Sequence, residues 1–399
     1  MRLMKPILRF PEFISDWEEK KLKDIACINP KSNDTKADVI NYIDLESVNG
    51  NKVTDIKKIY KENAPSRAQR IAKDQDIFFQ TVRPYQQNNF IYNFDIHNIV
   101  VSTGYAQIRV HRNAYYIFTL LHTYRFLTSV LMNCTGSNYP AINGTDLSSI
   151  KVIYSSDEEE QRKIGDFFSK LDQQIELEEQ KLEKLEEQKK GYMQKIFSQE
   201  LRFKDGNGNN YSEWIKTNLK FLVSYKNGKG YEKEVVQNGK YNIINLNSIS
   251  TKGMLKDSGK YTDFEDITLK KNDLIMILSD VAKGNLIGKT AIIDQDDKYL
   301  LNQRVASLRI KDESTSNVLF IYYFINYFRQ YFINMSTGMS QLNINKSTVE
   351  DFLIYLPYIE EQDKIGNFFS NLDKSIIKQL DKIELLKERK KGFLQKMFV

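Results

Sequence analysis

The 399-residue chain has only two cysteines, Cys27 and Cys134, and they lie far apart in the sequence. Such a pair provides neither a disulfide framework nor the clustered thiolates of a zinc site, which favours a reducing, cytoplasmic location. The three histidines are not at metal-ligand spacing with a cysteine or a carboxylate cluster, so no metal site is predicted. The first residues contain Pro6 and no sustained apolar core, so no secretory signal is expected.

Long hydrophobic runs and a strong charge of one sign are also missing. The most apolar stretch, residues 318–335, contains Asn326, Arg329, Gln330 and Asn334, which indicates an amphipathic helix and not a membrane span. A hydrophobic fraction of 41% suits a globular chain with two or three domains. The net charge of +6 mildly favours a polyanionic partner, although a DNA-binding protein that acts alone usually has a stronger bias.

Motifs for covalent chemistry are absent as well. No Asn-Pro-Pro-Tyr-like adenine methylation motif occurs, and no glycine-rich methyl-donor loop follows a predicted strand. The segment from Gly284 to Thr290 resembles a phosphate-binding loop, but three residues separate its glycines where that motif has four. We therefore predict a turn that leads into a strand at Thr290–Ile293, no bound nucleotide and no catalytic residue in this chain.

The strongest positive feature is an internal duplication. Residues 159–197 and 360–398 are identical at 22 of 39 positions, without a gap and at a constant offset of 201. Weaker matches precede each copy, for example IDLESV at 43–48 with INLNSI at 244–249, and the two Thr-Gly pairs at 135–136 and 337–338. We divide the chain into a first head (1–157), a first tail (158–198), a second head (199–357) and a second tail (358–399).

The heads have the patterns of mixed α/β domains. Short apolar runs at 76–80 and 273–278 predict strands, and the aromatic stretches 114–132 and 318–335 predict helices before the Thr-Gly turns. The predicted fold class is α+β. It comprises two mixed α/β domains that are separated by two long antiparallel coiled-coil helices, with a pseudo-two-fold internal repeat.

Each tail has a heptad seam that is interrupted by polar residues. A stripe of this kind indicates packing and nothing more, so the open question is what the tails pack against. As helices the tails would each be about 58 Å long, and a second tail that returns antiparallel along the first would bury both seams. The predicted packing residues are Ile164, Phe168, Leu171, Ile175, Leu182, Leu185, Ile365, Phe369, Leu372, Ile376, Ile383 and Leu386.

Over essentially its whole length the chain resembles the specificity subunits of type I restriction–modification systems. The resemblance rests on two variable heads that alternate with two similar tails, and on the motifs EEQ-KIG-FFS-LD and KKG--QK-F. It implies that each head recognises one half of a bipartite double-stranded DNA target, and that the helices, Gln161–Phe197 and Gln362–Phe398, dock two methylation subunits. Restriction subunits complete such an enzyme, and S-adenosylmethionine, ATP and Mg are expected in those partners and not in this chain.

If the heads bind DNA, polar and aromatic loops at matching places are the candidates for the contacts. Arginine suits guanine and glutamine or asparagine suits adenine, while lysine suits phosphate. Loops are commonly polar for other reasons, so residue type alone does not separate base contacts from solvent-exposed side chains. The candidates are Lys31, Arg83, Tyr85, Gln86, Gln87, Asn88, Asn89, Ser137, Asn138 and Tyr139 in the first head, and Lys226, Lys229, Ser279, Lys283, Lys289, Gln303, Arg304, Met339, Ser340 and Gln341 in the second.

Two other functions remain open at this point. The chain would also have two heads if it were a structural or adaptor protein that binds other proteins. Alternatively, one head would be an enzyme whose site has no recognisable motif. Binding to matched and scrambled bipartite DNA separates the first of these from a DNA-specificity subunit, and activity of the purified chain alone would support the second.

Overall fold

The computed structural model describes residues 5–31, 37–93, 95–281 and 284–399. The chain forms two compact units, and both are discontinuous with respect to the heads and tails of the sequence. Unit 1 comprises Met1–Gln180 and Leu380–Val399, and unit 2 comprises Lys181–Gln379. Each unit therefore contains one head, part of the tail that follows it and part of the other tail.

Unit 1 contains two four-stranded sheets and two strand pairs. Its strands are β1 (Glu18–Lys21), β2 (Cys27–Ile28), β3 (Val39–Ile43), β4 (Val48–Asn49), β5 (Lys52–Val53), β6 (Lys57–Tyr60), β7 (Ala68–Ile71), β8 (Ile77–Gln80), β9 (Phe90–Ile91), β10 (Ile99–Ser102), β11 (Tyr105–Arg109) and β12 (Lys151–Tyr154). Its head helices are α1 (Leu22–Ile25), α2 (Ala114–Leu121), α3 (Tyr124–Met132) and α4 (Gly144–Ser149), and α5 (Glu158–Phe197) begins here. The strand orders are β2-β11-β8-β9, β6-β3-β10-β7, β1-β12 and β4-β5.

Unit 2 repeats most of this arrangement. Its strands are β13 (Ile215–Asn218), β14 (Val223–Asn227), β15 (Tyr241–Ile244), β16 (Tyr261–Thr262), β17 (Leu274–Ile277), β18 (Ser279–Val281), β19 (Thr290–Ile292), β20 (Tyr299–Leu301), β21 (Val305–Ile310), β22 (Gln341–Asn343) and β23 (Leu353–Leu356). Its helices are α6 (Leu219–Leu222), α7 (Val318–Tyr327), α8 (Gln330–Asn334), α9 (Lys346–Glu350) and the start of α10 (Ile359–Met397). The strand orders are β14-β21-β17-β19, β16-β15-β20, β13-β23 and β18-β22.

The duplication seen in the sequence is therefore a duplication of the fold. In each head a strand near the start pairs antiparallel with the last strand, β1 with β12 and β13 with β23. In each head one sheet also contains a parallel strand pair, β3 with β10 and β15 with β20, and the other pairs between named strands of the described residues are antiparallel. The mixed α/β character of both heads is confirmed.

An ion pair is repeated at the same place in the two four-stranded sheets that correspond to each other. Arg109 donates to both carboxylate oxygens of Asp76, at 2.7 and 2.6 Å, and Arg309 donates in the same way to Asp273, at 2.6 and 2.7 Å. Both aspartates are almost completely buried, where a carboxylate requires a partner. The pair ties the strand before each long loop to its neighbour.

The aromatic helices are interrupted, which the sequence pattern did not predict. The stretch 114–132 forms α2 and α3, and the stretch 318–335 forms α7 and α8. In the first head Thr123 has an extended backbone and its hydroxyl accepts from the Phe126 amide at 3.3 Å. Thr123 therefore caps a new helix, because a threonine hydroxyl satisfies one of the amides that a helix start leaves unpaired.

The tails form helices α5 and α10, and each unit contains an antiparallel pair of segments from them. In unit 1 the rings of Phe167 and Phe393 are 5.0 Å apart, and Glu178 accepts from Lys382 at 2.5 Å. In unit 2 Lys189 donates to Asp373 at 2.6 Å, and the rings of Tyr192 and Phe368 are 5.1 Å apart. In both units the partner's number falls as the residue number rises, which defines antiparallel pairing.

Of the twelve residues predicted to pack along the helices, eight are buried and four are half-buried. The half-buried ones are Leu171, Leu182, Leu185 and Leu372. Polar residues that interrupt the seam form ion pairs: Glu178 with Lys382, Lys189 with Asp373, and Lys390 with Asp172 at 2.5 Å. The last two pairs connect equivalent positions of the two helices.

The repeated EEQ motif begins each helix with a buried carboxylate. Glu160 accepts two hydrogen bonds from Arg9, at 2.5 and 2.8 Å, and one from the Trp17 indole at 3.0 Å. Glu361 accepts the same set from Arg202, at 3.1 and 2.6 Å, and from Trp214 at 3.2 Å. Each carboxylate thus joins the start of a head to the start of its helix.

The glycine of the KIG motif and the phenylalanine that ends the KKG--QK-F motif both pack closely against the head. A Cβ on Gly165 would lie 3.0 Å from the Tyr116 amide nitrogen, so the helix packs directly against α2. Phe398 is buried against Trp17 and Tyr116, with ring centroids 5.8 and 5.6 Å away. In unit 2 Phe197 occupies the matching place in the core. Each head core is therefore completed by the end of the helix that follows the other head.

Two further observations concern membrane-spanning helices and metal sites. Among the residues that the structure describes, no helix is both long enough and apolar enough to cross a lipid bilayer. Within the same residues, no group of three or more histidine, cysteine, aspartate or glutamate side chains is arranged to hold a metal ion.

Candidate nucleic-acid interface

In each head the predicted DNA-contacting residues that the structure describes gather at one end of a four-stranded sheet, β2-β11-β8-β9 in the first head and β14-β21-β17-β19 in the second. We call this the loop end: it is where β8 and β17 end and where β11 and β21 begin. A long loop follows β8 (residues 81–89) and another follows β17 (residues 278–289, of which 282 and 283 are outside the description). Beside each lies a Thr-Gly loop, residues 135–141 in the first head and 337–343 in the second.

The two loops of the first head are joined by backbone and side-chain contacts. The Arg83 amide donates to the Pro140 carbonyl at 2.8 Å, and the Ile142 amide donates to the Thr81 carbonyl at 3.1 Å. The Arg83 guanidinium lies over the Tyr139 ring, 4.3 Å from its centroid. An arginine stacked on an exposed tyrosine keeps free donors for a base edge or a phosphate.

The long loop of the first head is held from inside by Gln80, whose side chain is buried. Its amide group donates to the Gln86 side chain at 2.8 Å, and its oxygen accepts from the Asn88 amide at 3.1 Å. The Gln80 backbone amide in turn donates to the Asn89 side chain at 2.8 Å. The inner side of the loop is therefore held by hydrogen bonds, although Tyr85 and Gln86 are exposed.

The two loops of the second head form a short sheet. β18 pairs antiparallel with β22, and the Ile344 amide donates to the Leu278 carbonyl at 2.9 Å, as Ile142 does to Thr81 in the first head. The Gln341 side chain donates to the Ser279 hydroxyl at 2.6 Å. Beyond this pairing Met339 is 99% exposed, an unusual environment for a large apolar side chain.

Lysines at the ends of neighbouring strands lie at the same loop end. Lys31 is exposed and follows β2. Between them the Asn29 amide donates to the Gln107 carbonyl, which continues the pairing of β2 with β11. In the second head Lys226 is exposed on β14, and Lys229 follows it. Lys229 donates to Asp266 at 2.8 Å and lowers the pKa of that carboxyl to about 2.

The twenty candidates differ in how available they are. Twelve are exposed: Lys31, Tyr85, Gln86, Ser137, Asn138, Tyr139, Lys226, Lys229, Gln303, Arg304, Met339 and Ser340. Five are half-buried: Arg83, Gln87, Asn88, Lys289 and Gln341. Lys283 is outside the described residues.

Several candidates have partners within the protein, and three of them we leave out of the proposed DNA surface because burial also withdraws their polar groups. Asn89 is 1% exposed and Ser279 is 2% exposed, and both hold backbone or side-chain groups of the loops. Lys289 is half-buried and donates to the Thr251 carbonyl, and burial lowers its pKa. Gln86, Lys229 and Gln303 also have side-chain partners, but they are exposed.

Sequence reasoning missed the residues that hold the loops. Gln80 and Asp280 lie at or just after the ends of buried strands, and Arg329 lies between α7 and α8. For Gln80 and Asp280 the sequence did contain a signal, because each is a polar residue at the end of an apolar run. Nothing in the sequence pattern related Arg329 to a loop more than forty residues earlier.

A histidine beneath the first long loop gives a pH-dependent prediction. His122 Nδ1 lies 2.8 Å from the Phe118 carbonyl, and Nε2 lies 3.3 Å from the Asn89 amide nitrogen. Burial lowers the pKa of His122 to about 4 from an ordinary value of 6.5. Between these values the unfolded chain binds a proton that the folded chain does not, so the stability of unit 1 should fall as the pH falls from 6.5 to 4.

The second head has Asn326 at the corresponding place, bonded to Thr290. His122→Asn should therefore remove this part of the acid sensitivity of unit 1, on the order of 3 kcal/mol at most. Hydrogen exchange in unit 1 at pH 7 and 4.5 measures it. His111→Asn, at an exposed histidine of the same unit, is the matched control and should leave the pH dependence unchanged. Equal acid sensitivity in the parent and His122→Asn chains would contradict the prediction.

Comparison with known proteins relates this geometry to one family. The family model described as type I restriction modification DNA specificity domain matches this chain twice, at residues 14–187 and 211–387. The MjaVIII specificity subunit of Methanocaldococcus jannaschii is 25% identical over 287 residues, which are 68% of this chain and 67% of the relative. The HindI specificity subunit of Haemophilus influenzae is 29% identical over 182 residues, 44% of this chain and 39% of the relative.

Two solved structures have a similar fold. One is the S subunit of a type I restriction-modification system from M. genitalium, with a TM-score of 0.62, 14% identity and 99% of both chains covered. The other is from a study of complex assembly and conformational transition of the type I R-M system, with a TM-score of 0.57, 18% identity, and 96% of this chain and 97% of that chain covered.

Proposed function

The chain belongs to the family of type I restriction-modification DNA specificity proteins, and we propose from this that it is the DNA-recognition subunit of such a complex. Each head recognises one half of a bipartite target through its long loop and its Thr-Gly loop. The observation that carries the proposal is the convergence of these two loops at the same sheet end in both heads. A duplicated framework with different loop residues suits two modules that bind different sequences.

The chemistry of the loop residues fits contacts with duplex DNA. Arg83 and Arg304 offer bidentate donors for guanine. Gln86 accepts from Gln80 through its side-chain oxygen and keeps its amide donors for a base. Lys31 and Lys226 neutralise phosphates, which positions the protein without reading sequence. Tyr139 and Met339 provide exposed apolar surface at the Thr-Gly loops for contact with base faces or methyl groups.

Catalysis belongs to other subunits in this proposal. Specificity subunits of type I systems are generally non-catalytic, and this chain directs two methylation subunits, joined by restriction subunits in the full complex. S-adenosylmethionine, ATP and Mg are bound by those partners in the cytoplasm. Helices α5 and α10 provide the docking surfaces for these subunits.

The first test removes one arginine from the proposed surface. Arg83→Ala should weaken binding to the cognate site by about 1–3 kcal/mol and relax the base preference in one half-site only. The target is first identified by mapping methylated adenines in DNA from cells that carry the intact system. Binding of the chain with its methylation partner is then measured on that site and on a scrambled site.

Arg112→Ala is the matched control for this experiment. Arg112 is an exposed arginine of the same head that lies beyond the opposite end of β11 and pairs with Glu158. It should change affinity by no more than about twofold, within the range of an exposed ion pair. Equal affinity of the parent complex for the matched and scrambled sites would reject the proposed function.

A further inference from the structure

The long loop of the second head is held from below by one arginine. Arg329 Nη1 donates to the Asn285 carbonyl at 2.8 Å and to the Ile287 carbonyl at 3.4 Å, and Nη2 donates to the Gly284 carbonyl at 3.2 Å. A guanidinium can satisfy several carbonyls at once because its donors form a fixed planar fork. An ammonium group has no such geometry.

A buried carboxylate holds the same loop from a second side. Asp280 is 7% exposed and accepts from the Val281 amide at 2.8 Å and from the Leu286 amide at 2.6 Å. The loop backbone therefore has its carbonyls directed to a cation and its amides directed to an anion. This arrangement fixes the conformation of the loop because backbone groups without partners are costly to bury.

The inner side of the loop also packs closely on helix α8. Ile287 is completely buried, and a Cβ on Gly288 would lie 2.6 Å from Phe332 Cβ. The outer side is different, since Val281 is 67% exposed and Asn285 is exposed. One side of the loop is thus fixed to the head, and the other side is available to a ligand.

We infer that Arg329 is a positioning residue for DNA recognition by the second head. It does not contact DNA itself: it sets the conformation of residues 284–287, which present the outer side of the long loop. The inference rests on the proposed function, and it adds a residue that lies outside both loops. It also predicts an asymmetry, because the long loop of the first head is held by Gln80.

The first head offers a matched control. Arg125 also lies at the start of the second aromatic helix, but among the described residues its side chain makes no hydrogen bond with the long loop of that head. Arg125→Lys and Arg329→Lys thus change the same residue type at comparable places, and both keep the positive charge. Only Arg329→Lys removes contacts to loop carbonyls.

The experiment measures discrimination at each half-site separately. The complex of each variant with its methylation partner binds the cognate site, a site altered in the first half and a site altered in the second half. Arg329→Lys should lower discrimination at the second half-site roughly tenfold, leave the first unchanged and keep the salt dependence of non-specific binding. Asp280→Asn, which weakens the other attachment of the loop, should have the same selective effect, and Arg125→Lys should have none.

Two results would overturn the inference. They are full discrimination at the second half-site by Arg329→Lys, and an equal loss at both half-sites together with a lower melting temperature. Failure of the proposed function is distinguishable from both, because the parent complex itself would then fail to discriminate either altered site.

Discussion

Exchanging the second head for that of a relative with another target should change one half of the recognised DNA sequence and leave the other half unchanged. The loops that form the proposed surface of each head come from within that head, so no residue of the first surface is altered. Affinity for the old second half-site should fall roughly a thousandfold or more, which is the usual difference between specific and non-specific binding.

The exchange has to preserve the contacts through which the head joins its helix. Glu361 lies at the start of α10 and accepts from Arg202 and Trp214, so the incoming head must supply an arginine and a tryptophan at those places. Methylated adenines mapped in cells that carry the hybrid give the result. The control is a hybrid in which the incoming head comes from a relative with the same target, and it should methylate the original sites. A change in both half-sites would contradict independent recognition by the heads.

Replacing Glu160 by alanine should destabilise unit 1 by about 3–5 kcal/mol, the range for breaking a buried ion pair by removing one partner. The Glu160 carboxylate is completely buried, and its loss would leave Arg9 and the Trp17 indole without their acceptor. The Arg9 pKa, which Glu160 raises through this hydrogen bond, would fall at the same time. Hydrogen exchange of the full-length chain should show faster opening of unit 1.

Glu159→Ala is the control for this variant. Glu159 is the neighbouring residue, and among the described residues its one ion pair is with the exposed Arg162 on the same helix. Its removal should cost about 0.5 kcal/mol or less. Similar destabilisation by both variants would show that helix charge, and not the buried network, stabilises this junction.

The helices and the duplication could be predicted from sequence because both depend on regular spacing. The recurrence of KIG-FFS-LD reflects contacts that both units make, such as the approach of Gly165 to α2 and the burial of Phe168 and Phe369. The aspartate and arginine of the buried pairs, Asp76–Arg109 and Asp273–Arg309, also lie within similar segments of the two heads. These are KDQDI at 73–77 with KKNDL at 270–274, and AQIRV at 106–110 with ASLRI at 306–310. A repeated charge in an apolar segment was a usable signal for a buried ion pair.

The rest of the site could not be derived in this way. The break between α2 and α3 depends on one hydroxyl cap within a continuous apolar pattern, so periodicity did not show it. The residues that hold the long loops differ between heads: Gln80 in the first, Asp280 and Arg329 in the second. Because the duplication does not repeat them, comparing one half with the other could not identify them, and Asn89 was predicted on residue type although its side chain is buried.

The discontinuity of unit 1 has a consequence for synthesis on the ribosome. Unit 2 is one uninterrupted stretch of chain, whereas the core of unit 1 requires Phe398, which is translated long after Trp17 and Tyr116, the rings that it packs against. Domains usually fold in the order in which they are synthesised, but here the last packing step of unit 1 follows the synthesis of unit 2. A nascent polypeptide that stalls or terminates before Leu380 would expose an unfinished aromatic core in its first head, which makes such fragments natural substrates for chaperones and proteases.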